Sequence, residues 1–142
     1  MKNRELIAGI NFLADVKERQ IKKGKKIFTG RALLIVTRNL RTMLNEYKEN
    51  YEKDYDELRG RYYVMKEQEV TIPEDKEKGI EEHKEKQQVE VMKPNCKEED
   101  YMRELNELLD LDVKIPLLYL TLDDLVLLDN YEDAERIDFM VK

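Results

Sequence analysis

One apolar stripe constrains this chain more than any other feature. Leu33, Val36, Leu40, Leu44, Tyr47, Tyr51, Tyr55, Leu58 and Tyr62 follow one another at steps of three or four residues. That spacing, kept up for about 30 residues, predicts a single long amphipathic helix that starts near Gly30 with Thr29 as its cap. Midway the stripe changes from aliphatic to tyrosine. A tyrosine tolerates a half-wet position through its hydroxyl, so the far half of the helix is expected to stand out or to meet a partner.

Ahead of it, Leu6, Ile7, Ile10, Leu13, Ala14 and Ile21 share one side of a helix over about residues 3–22, with Asn3 as the expected N-cap. This helix ends in Lys22-Lys23-Gly24-Lys25-Lys26. Cations suit the negative end of a helix dipole, and glycine suits the left-handed exit. Two helices joined by so short a link are expected to fold back as an antiparallel hairpin over residues 3–62.

Beyond Arg61 the period changes. Val70 and Ile72, then Val89 and Val91, alternate with polar residues and predict two short strands of a β-hairpin within 63–94. Residues 73–87 between them hold Ile80 as their one aliphatic side chain and are expected to form a charged, mobile loop. Asn95 with Glu98 forms a capping-box pattern that opens a helix burying Tyr101, Leu105, Leu108 and Leu109. Asp112 to Tyr119 reads as extended, and Pro116 restricts it to an edge strand or bulge. Thr121 with Asp124 and Asn130 with Asp133 repeat the capping pattern and predict two short closing helices. These carry Leu125, Val126 and Leu128, then Ala134, Ile137, Phe139 and Met140. The expectation is an α+β fold, mainly α, in a single domain over residues 1–142: a long antiparallel helical hairpin (3–62), a small β-hairpin with its charged loop (63–94), and a helix, edge strand and short helices (95–142).

Charge sets the character of the surface. Charged residues make up 41% of the chain, as much as the apolar ones, well above the usual quarter, so a thin core under long solvated helices is expected. Residues 1–44 hold eleven Lys/Arg against Glu5, Asp15 and Glu18, while the whole chain is −6. A chain so divided either folds its basic front onto its acidic rear or offers one of them to a partner. A pI near 5.1 argues against nucleic-acid binding by the chain as a whole, although the basic front keeps that option open.

One cysteine, Cys96, allows no internal disulfide, which fits a reduced intracellular setting. The opening residues lack the h-region and small-residue cleavage site of a signal peptide, and no apolar run approaches the roughly 20 residues that span a bilayer, so no membrane association is expected.

Two groups stand out as partner-binding candidates. Lys22, Lys23, Lys25 and Lys26 gather flexible cations around a glycine, as a site for phosphate or for an acidic protein would; the plainer account is a solvated helix end. Tyr47, Tyr51, Tyr55 and Tyr62, with Tyr63, could equally be an interface stripe, since tyrosine is enriched at interfaces, or the packed seam of the helical hairpin. Glu67, Glu69, Glu74, Asp75, Glu77, Glu81, Glu82 and Glu85 could mimic nucleic acid as a decoy, but interleaved lysines break the phosphate-like spacing.

No catalytic motif is found. GKKIFTG lacks the Gly-x-x-x-x-Gly-Lys-Ser/Thr spacing of a P-loop. His83 among Glu81, Glu82 and Glu85 has no other His or Cys to complete a metal site, and Cys96 has no histidine nearby in sequence to activate a thiol. No enzyme activity, cofactor or metal is expected.

Three blocks suggest a relationship: Leu6-Ile7-x-x-Ile10 with Leu13; Arg38-Asn39-Leu40 followed by Leu44, Tyr47 and Tyr51; and Tyr101-x-x-Glu104-Leu105-x-Glu107-Leu108-Leu109-x-Leu111-x-Val113 with Leu122-Asp123-Asp124-Leu125 and Ile137-Asp138-Phe139-Met140. In that order they resemble an uncharacterised family of small phage and prophage proteins of Gram-positive hosts. This chain departs from the pattern in its long charged insert around residues 73–87. The resemblance implies a phage context, no known activity and a location in the host cytoplasm or the virion. The expected function is non-enzymatic protein–protein interaction, as an accessory virion or assembly component. Two alternatives stand beside it: an inhibitor that binds a host defence or nucleic-acid-processing protein, and nucleic-acid binding through the basic front. A phage structural protein, a host factor and a second copy of the chain are the expected partners.

Overall fold

The predicted long helix forms with one interruption. In the computed structural model, α2 runs Gly30–Glu46, a wider π-helical turn covers Tyr47–Tyr51, and α3 continues over Glu52–Tyr62. The tyrosines explain the turn. Steps of four from Tyr47 to Tyr51 to Tyr55 overshoot a 3.6-residue turn by about 40° each, and a wider turn brings the rings back into line. The structure describes residues 1–24, 26–28, 30–125, 128 and 130–142, with Tyr131 described in its backbone alone; the proposed cap Thr29 and core residue Val126 lie outside the described residues.

The chain is mainly helical (57%) with one two-stranded antiparallel sheet, so it is α+β dominated by α. It divides into two compact units, Met1–Tyr55 with Asn106–Lys142, and Asp56–Leu105.

In the first unit α1 (Asn3–Lys22) and α2 pair as the expected helical hairpin. Leu6, Phe12, Leu13 and Val16 of α1 meet Ala32, Ile35, Val36, Leu40 and Met43 of α2, and Ile27 and Phe28 of the link plug one end. The C-terminal segment completes the core with Leu120, Ile137 and Met140. The buried face of α1 differs from the sequence reading. Asn3, Gly9, Phe12 and Val16 are inside, while Ile21 is 64% exposed and Ala14 faces water. Gly9 explains part of the rotation: a Cβ there would meet Met43 Cε at 2.5 Å and Phe139 Cζ at 3.4 Å, so a residue of no hydropathy permits the closest approach. Asn3 is not the cap. Lys2 is, in extended conformation, and Asn3 sits in the first turn, where its amide donates to the Leu108 carbonyl at 2.9 Å.

Amide side chains hold the irregular segments. Both backbone groups of Leu118 bond to the Asn39 amide, each at 2.8 Å, and Gln20 accepts from Phe28 N–H at 2.9 Å and donates to the Phe28 carbonyl. No strand forms over 112–119. The segment is extended and pairs only through isolated bridges, Lys2 with Asp112 and Leu120 with Val141. Thr121 and Asp124 form the expected capping pair ahead of a 3₁₀ turn at Leu122–Leu125, with Thr121 N–H donating to Asp124 Oδ2 at 2.7 Å. Asn130 caps α5 (Tyr131–Arg136) by accepting from Glu132 N–H, and a last 3₁₀ turn covers Asp138–Met140.

In the second unit the β-element is larger than expected. Ten-residue strands β1 (Tyr63–Ile72) and β2 (His83–Met92) pair in full register from Tyr63–Met92 to Ile72–His83. Residues 83–87 are therefore strand, not part of a loop. The correction has a physical cause. Polar side chains on a ribbon wet on both faces need no core, and opposite charges such as Glu69 and Lys86 sit directly across from each other. Asp75 and Ile80 close the connection by exchanging backbone bonds at 2.9 Å, with Gly79 at φ +67 and Asp75 Oδ1 accepting from Glu77 N–H at 3.1 Å. α4 (Glu98–Leu109) starts at Glu98 and not at Asn95, which lies in a turn closed by Cys96 N–H on the Lys93 carbonyl at 3.0 Å.

Candidate interaction surfaces

The alternation of β1 and β2 gives the ribbon two unlike faces. One presents Val64, Val70 and Ile72 of β1 beside Val89 and Val91 of β2. The other is charged over most of its length, with Glu67, Glu69, Lys84 and Lys86, and carries Tyr63, Met65, Glu90 and Met92 at its base. Val64 is 39% exposed, the other four aliphatics are partly buried, and no further strand pairs with either edge among the described residues.

An aromatic–cation cluster holds the base of the charged face. The Arg59 guanidinium stacks 3.9 Å from the Tyr63 ring centroid and 5.3 Å from that of Tyr101, donates to the Tyr101 hydroxyl at 2.9 Å and pairs with Glu90. These partners hold its pKa above the ordinary arginine value, the Tyr101 bond most of all. Tyr62 and Tyr63 both meet Tyr101 edge-on, with centroids 5.7 and 5.2 Å apart. The Tyr62 phenol is raised above its usual pKa chiefly by its interaction with Glu104, which is itself held low by Tyr62. Asp56, Arg59, Tyr63, Met65 and Glu90 line an open groove of about 300 Å³ beside the cluster. The sequence points to Tyr101 only as a buried helix residue and to Arg59 not at all, because residues 42 apart share no local pattern.

The other candidate tyrosines lie in the first unit. Tyr47 and Tyr51 rings are 5.3 Å apart and Tyr51 and Tyr55 stack at 6.1 Å, a column along one helix side. Tyr51 is buried, and Tyr47 packs against the core and lines a groove of about 240 Å³ with Ile7, Ile10 and Leu44. The expected stripe is thus in part a core seam, and Tyr62 belongs to a different cluster.

Lys22, Lys23 and Lys26 are exposed; Lys25 lies outside the described residues. Lys22 pairs with Glu18 at 3.4 Å, whereas Lys23 and Lys26 have no ion pair among the described residues. Arg31, Arg38 and Arg41 recur at seven- and three-residue steps on the exposed side of α2, and among the described residues only Arg31 forms an ion pair, with Asp124 at 2.9 Å. The His83 ring bridges the Glu81 carbonyl and the Glu85 carboxylate, each at 2.7 Å, and is raised above its usual pKa, by the Glu81 bond first. Among the described residues no three His, Cys, Asp or Glu side chains are grouped to hold a metal ion, and no helix is long and apolar enough to cross a membrane.

Set against known proteins, the chain matches no protein-family model, no curated protein and no solved structure.

Proposed function

We propose that this is a non-enzymatic interaction protein that docks onto another protein, as an accessory virion or assembly component in a phage setting. The observation that supports it is the ribbon. The chain spends residues 63–92 on a two-stranded element whose aliphatic face and two backbone edges are presented and not packed into a core. An isolated two-stranded sheet is marginal in water, so a long one is best explained by what it contacts. The phage setting rests on the sequence blocks described above.

The test is capture of the tagged chain from phage-producing cells, run beside a Val70→Asp/Val89→Asp variant whose substitutions lie on the aliphatic face. The reading expects capsid, portal or tail proteins with the wild-type chain and at least about tenfold less with the variant. Equal capture by both would refute docking through the ribbon. Recovery of one host protein in equal amount would replace assembly by inhibition.

A second reading, nucleic-acid binding, is favoured by Arg38 and Arg41, which are exposed and have no ion pair among the described residues, and by the exposed Lys22, Lys23 and Lys26. It expects a mobility shift whose log affinity falls steeply with log salt and which Arg38→Ala/Arg41→Ala weakens uniformly across sequences. The ribbon argues against its own part in such binding, carrying nine acids against five lysines between Tyr63 and Met92.

A further inference from the structure

We infer that the aliphatic face of the ribbon is where two copies of this chain meet, face to face and with strand directions reversed. The inference rests on reading the ribbon as a docking element and commits its occupant to a second copy. Five rows of residues make the face, pairing Val64 with Val91, Lys66 with Val89, Gln68 with Gln87, Val70 with Glu85, and Ile72 with His83 across the strands. All five rows are directly opposite partners in the register, and pleat alternation puts all ten residues on one face. Val64 with Val91 fills one end, Ile72 beside His83 the other and amides the centre, and one lysine and one glutamate lie symmetrically about the amides.

That order complements itself only one way round. A two-fold axis across the strands at Gln68 lays the Lys66 row over the Glu85 row of the second copy, so opposite charges share each stacked layer and Val89 lies near Val70. A two-fold along the strands would stack Lys66 rows together and Glu85 rows together, like charge on like. In the reversed arrangement the glutamines meet glutamines, which both donate and accept hydrogen bonds. Val64 and Val91 meet Ile72 and His83, and sheets packed about 10 Å apart would cover the aliphatic side chains. The opposite face cannot pair this way, because Arg59 and Tyr101 occupy its base.

The contact is small. A ten-residue ribbon is about 34 Å long and about 10 Å wide, roughly 340 Å² per copy, which is below the range of stable interfaces and makes this a weak, concentration-dependent association.

Lys66 and Glu85 give the test, Lys66 first, because Glu85 also holds the His83 ring at 2.7 Å within the chain. They lie four residues apart along the ribbon, about 13 Å, too far to interact within one chain. Sedimentation equilibrium of the purified full chain from micromolar to millimolar should show the mass rise from 17.1 kDa toward twice that value. Lys66→Glu and Glu85→Lys should each weaken the dimer about tenfold, since each sets like charges together twice, and the double swap should restore it. A wild-type chain that holds one-chain mass throughout, single variants that associate as the wild type does, or a double swap that stays as weak as the singles would each overturn the inference. The docking reading fails separately. A monomeric wild type whose captured protein is still lost in Val70→Asp/Val89→Asp retires the dimer and keeps the docking, whereas a restored charge swap with capture unchanged in that variant does the reverse.

Discussion

Asp133 is among the few charged side chains that this fold buries, and removing its partner should be costly in a lopsided way. It is 5% exposed on α5 and takes two parallel bonds from Arg19 of α1, Nη1 to Oδ2 and Nη2 to Oδ1, both at 3.0 Å. Asp15, one turn before Arg19, lies 3.1 Å from its Nε without a well-directed hydrogen bond. These partners hold the guanidinium above its ordinary pKa, the Asp133 bond foremost. Arg19→Met keeps the aliphatic stem but strands the Asp133 carboxylate, and stranding a buried charge costs about 3–5 kcal/mol. Asp133→Asn instead leaves a guanidinium whose side chain is 19% exposed, with Asp15 and water still at hand, so about 1–2 kcal/mol is expected. Arg19→Met/Asp133→Leu removes both charges and should recover most of the loss, because an apolar pair is often as stable as a buried ion pair. The assay is urea unfolding followed by circular dichroism, read on the transition of the unit that holds both residues. Equal costs for the two single variants, or a double variant as unstable as Arg19→Met, would refute the reasoning.

Three further predictions follow from the same geometry. Asn39→Ala deprives Leu118 of both backbone partners and should cost about 2–4 kcal/mol in urea unfolding, with faster amide exchange at Leu118. His83 should titrate by NMR above its usual 6.5, and Glu85→Gln should lower the midpoint only in part, because the Glu81 carbonyl is the larger cause. Since the folded value is raised, the contribution of protonated His83 is complete below about pH 6.5 and is lost as pH rises through the folded midpoint. Arg59→Lys loses the planar stack on Tyr63 and the geometry of the bond to Tyr101, and should broaden the Tyr63 and Tyr101 ring resonances and cost about 1 kcal/mol in the unfolding of its unit.

The helical part of this fold is legible because its signal is local. The stripe from Leu33 to Tyr62 carries its own period, and Val36, Leu40, Tyr51 and Leu58 are buried where that period puts them. The face of α1 is less legible, since α1 is covered on a second side by Ile137, Phe139 and Met140 from the far end of the chain. A contact at that separation leaves no trace in a period read over twenty residues, and Asn3 and Gly9 serve it through a hydrogen bond and an absent side chain. The ribbon was underread for another reason. Val70 and Ile72 alternate visibly, but Val64 belongs to the same face six residues earlier, and the charged residues at 83–87 read as loop because they cannot be buried. Strand pairing required only their backbone. Of the candidate site, Lys22, Lys23 and Lys26 are exposed and the tyrosines are clustered as their residue types suggest, while the Arg59–Tyr101 contact needed the fold.

The divided charge of the chain resolves in the first unit into a structural part and a presented part. Three front-half arginines meet rear-half carboxylates there: Arg4 with Asp110 at 3.2 Å, Arg19 with Asp133 at 3.0 Å and Arg31 with Asp124 at 2.9 Å. The first and last are largely exposed on their arginine side and are worth little as stabilising pairs, so they fix where the returning segment lies more than how firmly it holds. Asp124 shows the distinction: its carboxyl is held below its usual pKa first by the Thr121 backbone N–H and only then by Arg31, so its main task is to cap the turn it starts. Among the described residues, Arg38, Arg41, Lys23 and Lys26 form no ion pair in this closure. Lys23 ends α1 as its C-cap, where a cation suits the helix dipole. Exposed cations such as Arg38, Arg41 and Lys26, with no ion pair among the described residues, instead add self-repulsion to the folded unit, and a contact outside the chain is the simplest physical reason for a sequence to carry them.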